Sequence, residues 1–275
     1  MNVTSVCRRL GMSRQNYYAQ RRRRQQQWID GEMIKQLVVR ERKQQSRLGG
    51  RKLHWMLAKE LAEAGIKVGR DRFFKVLAQK DLLLEPKPAA YPCTTSSGHC
   101  LPVFGNQIKG MELERSNQVW VSDITYVRTW EGFLYLALIT DKWSRKVVGH
   151  HCGESLSAEG CLQALEQALQ ELPLDACPIH HSDRGSQYCC HEYVQRLNQR
   201  QLGVSMTERD HCAENALAER MNGILKQEYG LGVEFRTKAQ ARRAVAQSIW
   251  LYNTRRPHTA LGYRVPEEMH RSGLN

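Results

Sequence analysis

Three acidic residues stand in contexts suited to chemistry. They are Asp123 in Trp120-Val121-Ser122-Asp123-Ile124-Thr125-Tyr126, Asp183 in His181-Ser182-Asp183-Arg184-Gly185-Ser186-Gln187-Tyr188, and Glu219 in Asn215-Ala216-Leu217-Ala218-Glu219-Arg220. Between Asp123 and Asp183 lie 59 residues, and between Asp183 and Glu219 lie 35. Each acid has apolar neighbours within or at the end of a regular element, where an unpaired carboxylate is costly to desolvate. A divalent cation offsets that cost, and hard oxygen ligands suit Mg²⁺ or Mn²⁺. The expected chemistry is phosphoryl transfer on nucleic acid with two ions about 3.5–4 Å apart, one activating the attacking oxygen and one stabilising the leaving oxygen. Asp123 is the candidate bridge between the ions, with Asp183 and Glu219 each holding one. Water or a DNA 3′-hydroxyl attacks in line, so no side-chain nucleophile is required.

The residues around the acids extend this reading. Asn215, Glu219, Asn222 and Lys226 are spaced by four, three and four, which puts them on one polar face of a helix, with Leu217, Met221, Ile224 and Leu225 opposite. On that face Lys226 is placed to hold a phosphate beside the scissile bond, or is an ordinary exposed lysine. After Asp183, Gly185 permits close backbone approach and its polar neighbours suit phosphate binding or fixing of Asp183; a simple turn is the equal alternative. Arg184, Asn215 and Lys226 are the DNA contacts expected in this part of the chain. Asp141, Glu154 and Glu228 are expected to be surface or structural.

The elements that position these residues alternate in type. Val119 to Val127 and Gly132 to Thr140 form a predicted hairpin, with a third strand over Arg145 to Cys152. There follow a helix from Ala158 to Glu171, a short strand from Pro178 to His181, a helix from His191 to Gln201, a fifth strand from Val204 to Thr207 and a helix from Asn215 to Tyr229. This is a mixed five-stranded α/β sheet flanked by helices, with Asp123 on the first strand and Asp183 just after the fourth, positions that can be neighbours in such a sheet, and Glu219 reaching the same edge from a helix. A helical extension follows it.

The first third reads differently. Residues 1–90 hold 21 Lys and Arg against 8 Asp and Glu, whereas residues 91–275 hold 20 of each, so the whole net charge of +13 lies in the first third. Clustered cations bind a polyanion by releasing its counterions, and Arg21, Arg22, Arg23 and Arg24 are the foremost candidates. Val3 to Leu10, a turn at Gly11-Met12-Ser13 and Arg14 to Arg24 have the layout of a helix-turn-helix, with Ser13 as N-cap. A long helix over Trp28 to Lys43 follows, then a second pair over Lys52 to Ala64 and Arg70 to Lys80. The expected organisation is a basic helical DNA-binding region over 1–84, a Pro/Ser-rich linker over 85–110 and a catalytic core over 111–275.

Composition removes other classes. No segment has the length and apolarity of a membrane span or the form of a secretory signal. The nine cysteines include no CxxC pair, so they are expected to be reduced in a cytosol. His180-His181 and Cys189-Cys190-His191 lack the spacing of a closed zinc site.

The octapeptide around Asp183, together with Tyr252-Asn253-Thr254-Arg255-Arg256-Pro257-His258, Leu261-Gly262 and Pro266, resembles the IS3-family insertion-sequence transposases, within the DDE transposase and retroviral integrase superfamily. The resemblance covers nearly the whole chain. It implies a ribonuclease-H-like core, a catalytic and metal-binding triad of Asp123, Asp183 and Glu219, and Mg²⁺ or Mn²⁺ as two ions per site. It also implies 3′-end nicking and strand transfer at the element's terminal inverted repeats, insertion into target DNA, and a homo-oligomer on DNA in the bacterial cytoplasm, associated with the nucleoid. In that family this portion is commonly a downstream reading frame joined to an upstream partner segment. One departure is the loop Glu208-Arg209-Asp210-His211-Cys212-Ala213-Glu214, where acids and Ala213 replace the family's basic and aromatic residues and weaken the expected DNA contact. Two other readings use the same residues: a catalytically weak or inactive DNA-binding regulator, and a nuclease that cuts without joining.

Overall fold

The computed structural model describes residues 2–85, 101–208 and 214–274. The chain divides into two compact units, Met1–Pro86 and Lys87–Asn275. The first contains α1 (Val3–Arg9), α2 (Arg14–Gln44), α3 (Gly50–Glu63) and α4 (Arg70–Gln79). Asn2 caps α1 through the Ser5 amide at 2.9 Å, and Ser13 caps α2 through that of Asn16 at 3.1 Å. The two helices expected over 14–24 and 28–43 are one helix of 31 residues. The intervening Gln25-Gln26-Gln27 contains neither Pro nor Gly, and Gln is a good helix former, so nothing there interrupts the hydrogen-bond ladder. Only the second half of α2 is amphipathic. Ile34, Leu37 and Val38 pack with Leu53, Leu57, Leu61, Phe73 and Leu77 in one core. Arg40 clamps Glu60 with two hydrogen bonds of 2.8 and 2.7 Å, tying α2 to α3.

The second unit is built on five strands: β1 (Val119–Thr129), β2 (Gly132–Asp141), β3 (Val147–Gly153), β4 (Ile179–Ser182) and β5 (Gly203–Met206), in the order β3-β2-β1-β4-β5. The first three are antiparallel neighbours, and β4 and β5 join in parallel. One face is covered by α5 (Ala158–Gln170) and α7 (His191–Gln199), whose Cys161, Leu165, Tyr193 and Leu197 pack on Trp120, Ile124 and Ile139. The other carries α8 (Ala216–Glu228) and α9 (Lys238–Arg255), whose Met221, Leu225, Val245 and Ile249 pack on Val127, Leu134, Leu136 and Leu138. A short α6 (Ser186–Cys189) follows β4, and α10 (Pro266–Ser272) follows α9.

Close approach decides residue type at one sheet position. A Cβ on Gly149 would lie 2.2 Å from the Ala164 carbonyl oxygen, so any side chain there lifts α5 off β3. Part of the segment expected as a linker belongs to this unit. Residues 86–100 lie outside the described residues, but Phe104 and Ile108 pack on the sheet's cores. Gln107 donates its amide N–H to Ser205 Oγ and its side-chain Nε2 to the Val204 carbonyl, both at 2.9 Å, beside edge strand β5. Among the described residues no helix is long and apolar enough to cross a membrane.

Candidate active site

β1 is the central strand and pairs with β4 only from Val119 to Val121, so Asp123 lies just past the point where the two strands diverge. Asp183 follows the last residue of β4. Parallel pairing of β1 with β4 therefore brings together two acids with 59 residues between them in sequence. α8 crosses from the other side and supplies Glu219 and Asn222.

Asp123 is strongly perturbed. Burial raises its pKa from 3.8 to about 7, and the negative charges of Asp183 and then Glu219 add to the effect. Two donors partly oppose this: the Ile124 amide to Oδ1 and Asn222 Nδ2 to Oδ2, each at 2.8 Å. Asp183 is oriented by its own turn, where the Gly185 amide donates to Oδ1 at 3.0 Å. A Cβ on Gly185 would stand 2.9 Å from Gln187 Oε1 and 3.0 Å from that same oxygen, so a side chain there would press on both. Glu219 is exposed at the first turn of α8. Among the described residues no three Asp, Glu, His or Cys side chains close around one point at metal-ligating distance. The three carboxylates thus share an electrostatic neighbourhood and not a closed cage. Their all-oxygen donor set fits a hard divalent cation, whose charge would offset the cost of burying Asp123.

The other candidate residues separate. Lys226 Nζ lies 3.9 Å from the centroid of the Tyr126 ring, near enough to feel Asp123's charge; burial lowers its pKa and Asp123 partly restores it. Asn215 is buried and donates Nδ2 to the Ser122 carbonyl at 3.0 Å, so its amide nitrogen is committed to the protein. Arg184 Nε donates to the Thr207 carbonyl at 2.6 Å, linking the ends of β4 and β5. Arg21, Arg22, Arg23 and Arg24 lie on the exposed half of α2 in the first unit. The departing loop at 209–213 lies outside the described residues.

Sequence reasoning missed the support behind the acids. His180 Nε2 sits between the Ser122 hydroxyl at 2.7 Å and the Tyr193 hydroxyl at 2.9 Å, and burial drives its pKa down to about 3. A neutral His180 thus braces the residue next to Asp123. His181 Nδ1 meets Ser205 Oγ at 2.9 Å. Two histidines that invite a zinc reading are thus hydrogen-bonded to neighbouring strands and to α7. Asp141 is structural, accepting from the Asn117 amide and from both the amide and hydroxyl of Ser144.

The Tyr252–His258 motif is structural too. Asn253 accepts from the Val147 amide at 3.0 Å and donates to the Val147 carbonyl at 2.9 Å, clamping α9 to edge strand β3. Buried Arg256 makes two hydrogen bonds, of 2.8 and 2.7 Å, to Glu228 at the last turn of α8. The motif therefore anchors the far end of the helix that carries Glu219.

Two Integrase core domain families match the chain, one over residues 114–212 and one over 200–266. The "Insertion element IS600 uncharacterized 31 kDa protein" of Shigella sonnei is 36% identical over 266 residues, 95% of this chain and 96% of that protein. The "Transposase for insertion sequence element IS629" of Shigella sonnei is 33% identical over 212 residues, 76% of this chain and 70% of that protein. In structure, a chain of the simian T-cell lymphotropic virus intasome in complex with PP2A regulatory subunit B56 gamma aligns at TM-score 0.50 and 16% identity, over 81% of this chain and 74% of that one. That likeness concerns the fold alone, a ribonuclease-H-like sheet. With its near full-length relative and the match to a named transposase, the chain belongs to the IS3 family of insertion-sequence transposases, DDE-type polynucleotidyl transferases.

Proposed function

We propose that Asp123, Asp183 and Glu219 are the catalytic carboxylates with which this transposase nicks the 3′ ends of its element at terminal inverted repeats and joins them to target DNA. The observation that carries the reading is the convergence of Asp123 from β1, Asp183 from the end of β4 and Glu219 from α8. Burial and the charges of the other two acids raise the Asp123 pKa to about 7, in keeping with it. Carboxylates forced together in this way are characteristic of sites that receive a cation. Two Mg²⁺ or Mn²⁺ ions held by the three acids would activate the attacking oxygen and neutralise the leaving one.

The chain's own residues do the positioning. Asn222 and the Ile124 amide fix the two oxygens of Asp123, and the Gly185 amide fixes one oxygen of Asp183. Lys226, held over Tyr126, is placed to pair with a DNA phosphate next to the scissile one. In nicking, a water oxygen bonds to phosphorus, the bond from phosphorus to the 3′ oxygen breaks, and the element strand leaves with a 3′-hydroxyl. In joining, that hydroxyl oxygen attacks a target phosphorus and a target 3′ oxygen leaves. The exposed arginines of α2 supply sequence-independent affinity for the duplex, and oligomerisation on DNA pairs two element ends.

Asp123→Asn tests the assignment. The variant should bind inverted-repeat DNA close to normally and yield neither nick nor joined product. Retained nicking contradicts the triad. Nicking by the wild type without joining points to a nuclease of the same fold.

A further inference from the structure

β1 runs on from Asp123 into a surface no other function explains. On the face that α5 and α7 cover elsewhere, the buried core ends on β1 at Ile124, and half-buried Tyr135, opposite Tyr126 on β2, packs against its edge. Beyond it lie half-buried Tyr126, exposed Arg128 and, on β2, Phe133 at 52% exposure. Tyr126 and Phe133 make an edge-on contact with ring centroids 5.8 Å apart. The hairpin turn then presents Trp130, 69% exposed. That turn is pinned: Trp130 N–H donates to the Phe235 carbonyl at 2.9 Å, and Phe235 N–H donates to the Arg128 carbonyl at 3.0 Å. The pinning sets the Arg236 guanidinium 5.6 Å from the Trp130 ring centroid. At the other end Lys226 stands over Tyr126.

We infer that Tyr126, Phe133 and Trp130, with Lys226, Arg128 and Arg236, form a platform for single-stranded DNA, on which bases of the strand leaving the active site stack. The inference rests on the reading of Asp123 for the strand's direction. Its support is the alternation of rings with cations, which suits bases and phosphates together. Glu131 and Glu234 are also exposed here, but three cations still outnumber them, and the Glu131 carboxylate accepts the Lys238 amide. At about 3.3 Å per residue the platform runs from about 10 Å to about 23 Å along the strand from Asp123. A single strand is accommodated because stacking needs an exposed base face, which a duplex interior does not offer.

The test is a dT oligonucleotide carrying one 2-aminopurine, compared with a blunt duplex of equal length, in the absence of metal. Wild type should quench the probe and prefer the single strand. Trp130→Ala/Phe133→Ala should lose the quench and weaken single-strand binding about tenfold or more, with duplex affinity unchanged. Trp130→Phe should retain most of both. Both residues are largely exposed, so truncation spares the core. Unchanged single-strand affinity in the double variant overturns the platform. An equal loss for duplex also overturns it, as does loss of self-association without any effect on the oligonucleotide. The assay needs no turnover: failure of wild type to nick DNA, with the quench intact, would sink the carboxylate assignment and leave the platform standing.

Discussion

The side-chain amide of Asn222 donates to Asp123 Oδ2 at 2.8 Å, from the helix that carries Glu219 one turn earlier. A donor to the charged form opposes the burial that raises the Asp123 pKa. Asn222→Ala removes it, at a cost of about 1.5–3 kcal/mol for a hydrogen bond to a charged group. The expected outcome is a nicking rate at least tenfold lower, with the pH midpoint of Mn²⁺ binding moved upward. Isothermal titration across pH measures the midpoint; an unmoved midpoint with normal nicking contradicts the role.

Asp123 also makes the metal-free protein pH-sensitive. Its folded pKa of about 7 lies above its ordinary value of 3.8, so the folded state holds the proton more tightly. The stability this contributes is full below about pH 4 and is lost as pH rises through about 7, to a ceiling of about 4 kcal/mol. Asp123→Asn cannot titrate, and its Nδ2 can turn toward Asn222 Oδ1, a buried atom with no hydrogen-bond partner. Without metal the variant should therefore melt above wild type at pH 8, with the gap closing at pH 5. A gap constant across that range contradicts the argument.

Arg256 and Glu228 give a stability prediction far from the acids. Arg256→Met leaves the Glu228 carboxylate without its bidentate partner, a loss of about 3 kcal/mol. A fall in Tm of order 10 °C is expected. Arg256→Met/Glu228→Gln should recover part of it, because the carboxylate that lost the guanidinium is then removed as well. A double variant no more stable than the single contradicts this.

Gly149→Ala drives a methyl group against the Ala164 carbonyl and the Ala168 methyl. Because the first obstacle is backbone, the cost should reach at least about 3 kcal/mol. Soluble expression and thermal melting check it; a variant as stable as wild type contradicts the tight α5–β3 packing.

Successive residues on a helix are turned by about 100°, so Arg21 to Arg24 point around α2 and about half can face one duplex. Replacing all four with Gln should reduce the slope of log affinity against log salt by about 2. An unchanged slope assigns the duplex contact elsewhere.

The convergence of the three acids was legible because each lies inside a short distinctive segment, and the strand and helix pattern told where each segment ends. Mixed topology then follows: Asp123 on the first strand and Asp183 after the fourth meet because β1 and β4 pair, as alternating periodicity allows. Other features were not legible. The break expected within 25–27 failed because local composition there carries no stop signal, while the packing that makes α2 continuous involves α3 and α4, 20 or more residues away. Asn215 reads as a site residue by spacing alone, yet Ser122 on β1, 93 residues earlier, accepts its amide. His180 invites a metal reading because a sequence cannot display Ser122 and Tyr193 around it. The C-terminal motif marks the family, but its work, the clamp on Val147 and the pair with Glu228, exists only across elements.

The central claim is tested most directly by single-turnover reaction of labelled inverted-repeat DNA with Mg²⁺ or Mn²⁺, with chelator as control, for wild type and Glu219→Gln. Metal-dependent 3′-end nicking and joined products in wild type, both lost in Glu219→Gln while DNA binding persists, are the predicted result. Wild type that binds the ends yet yields neither product, or a variant that still nicks, would contradict it.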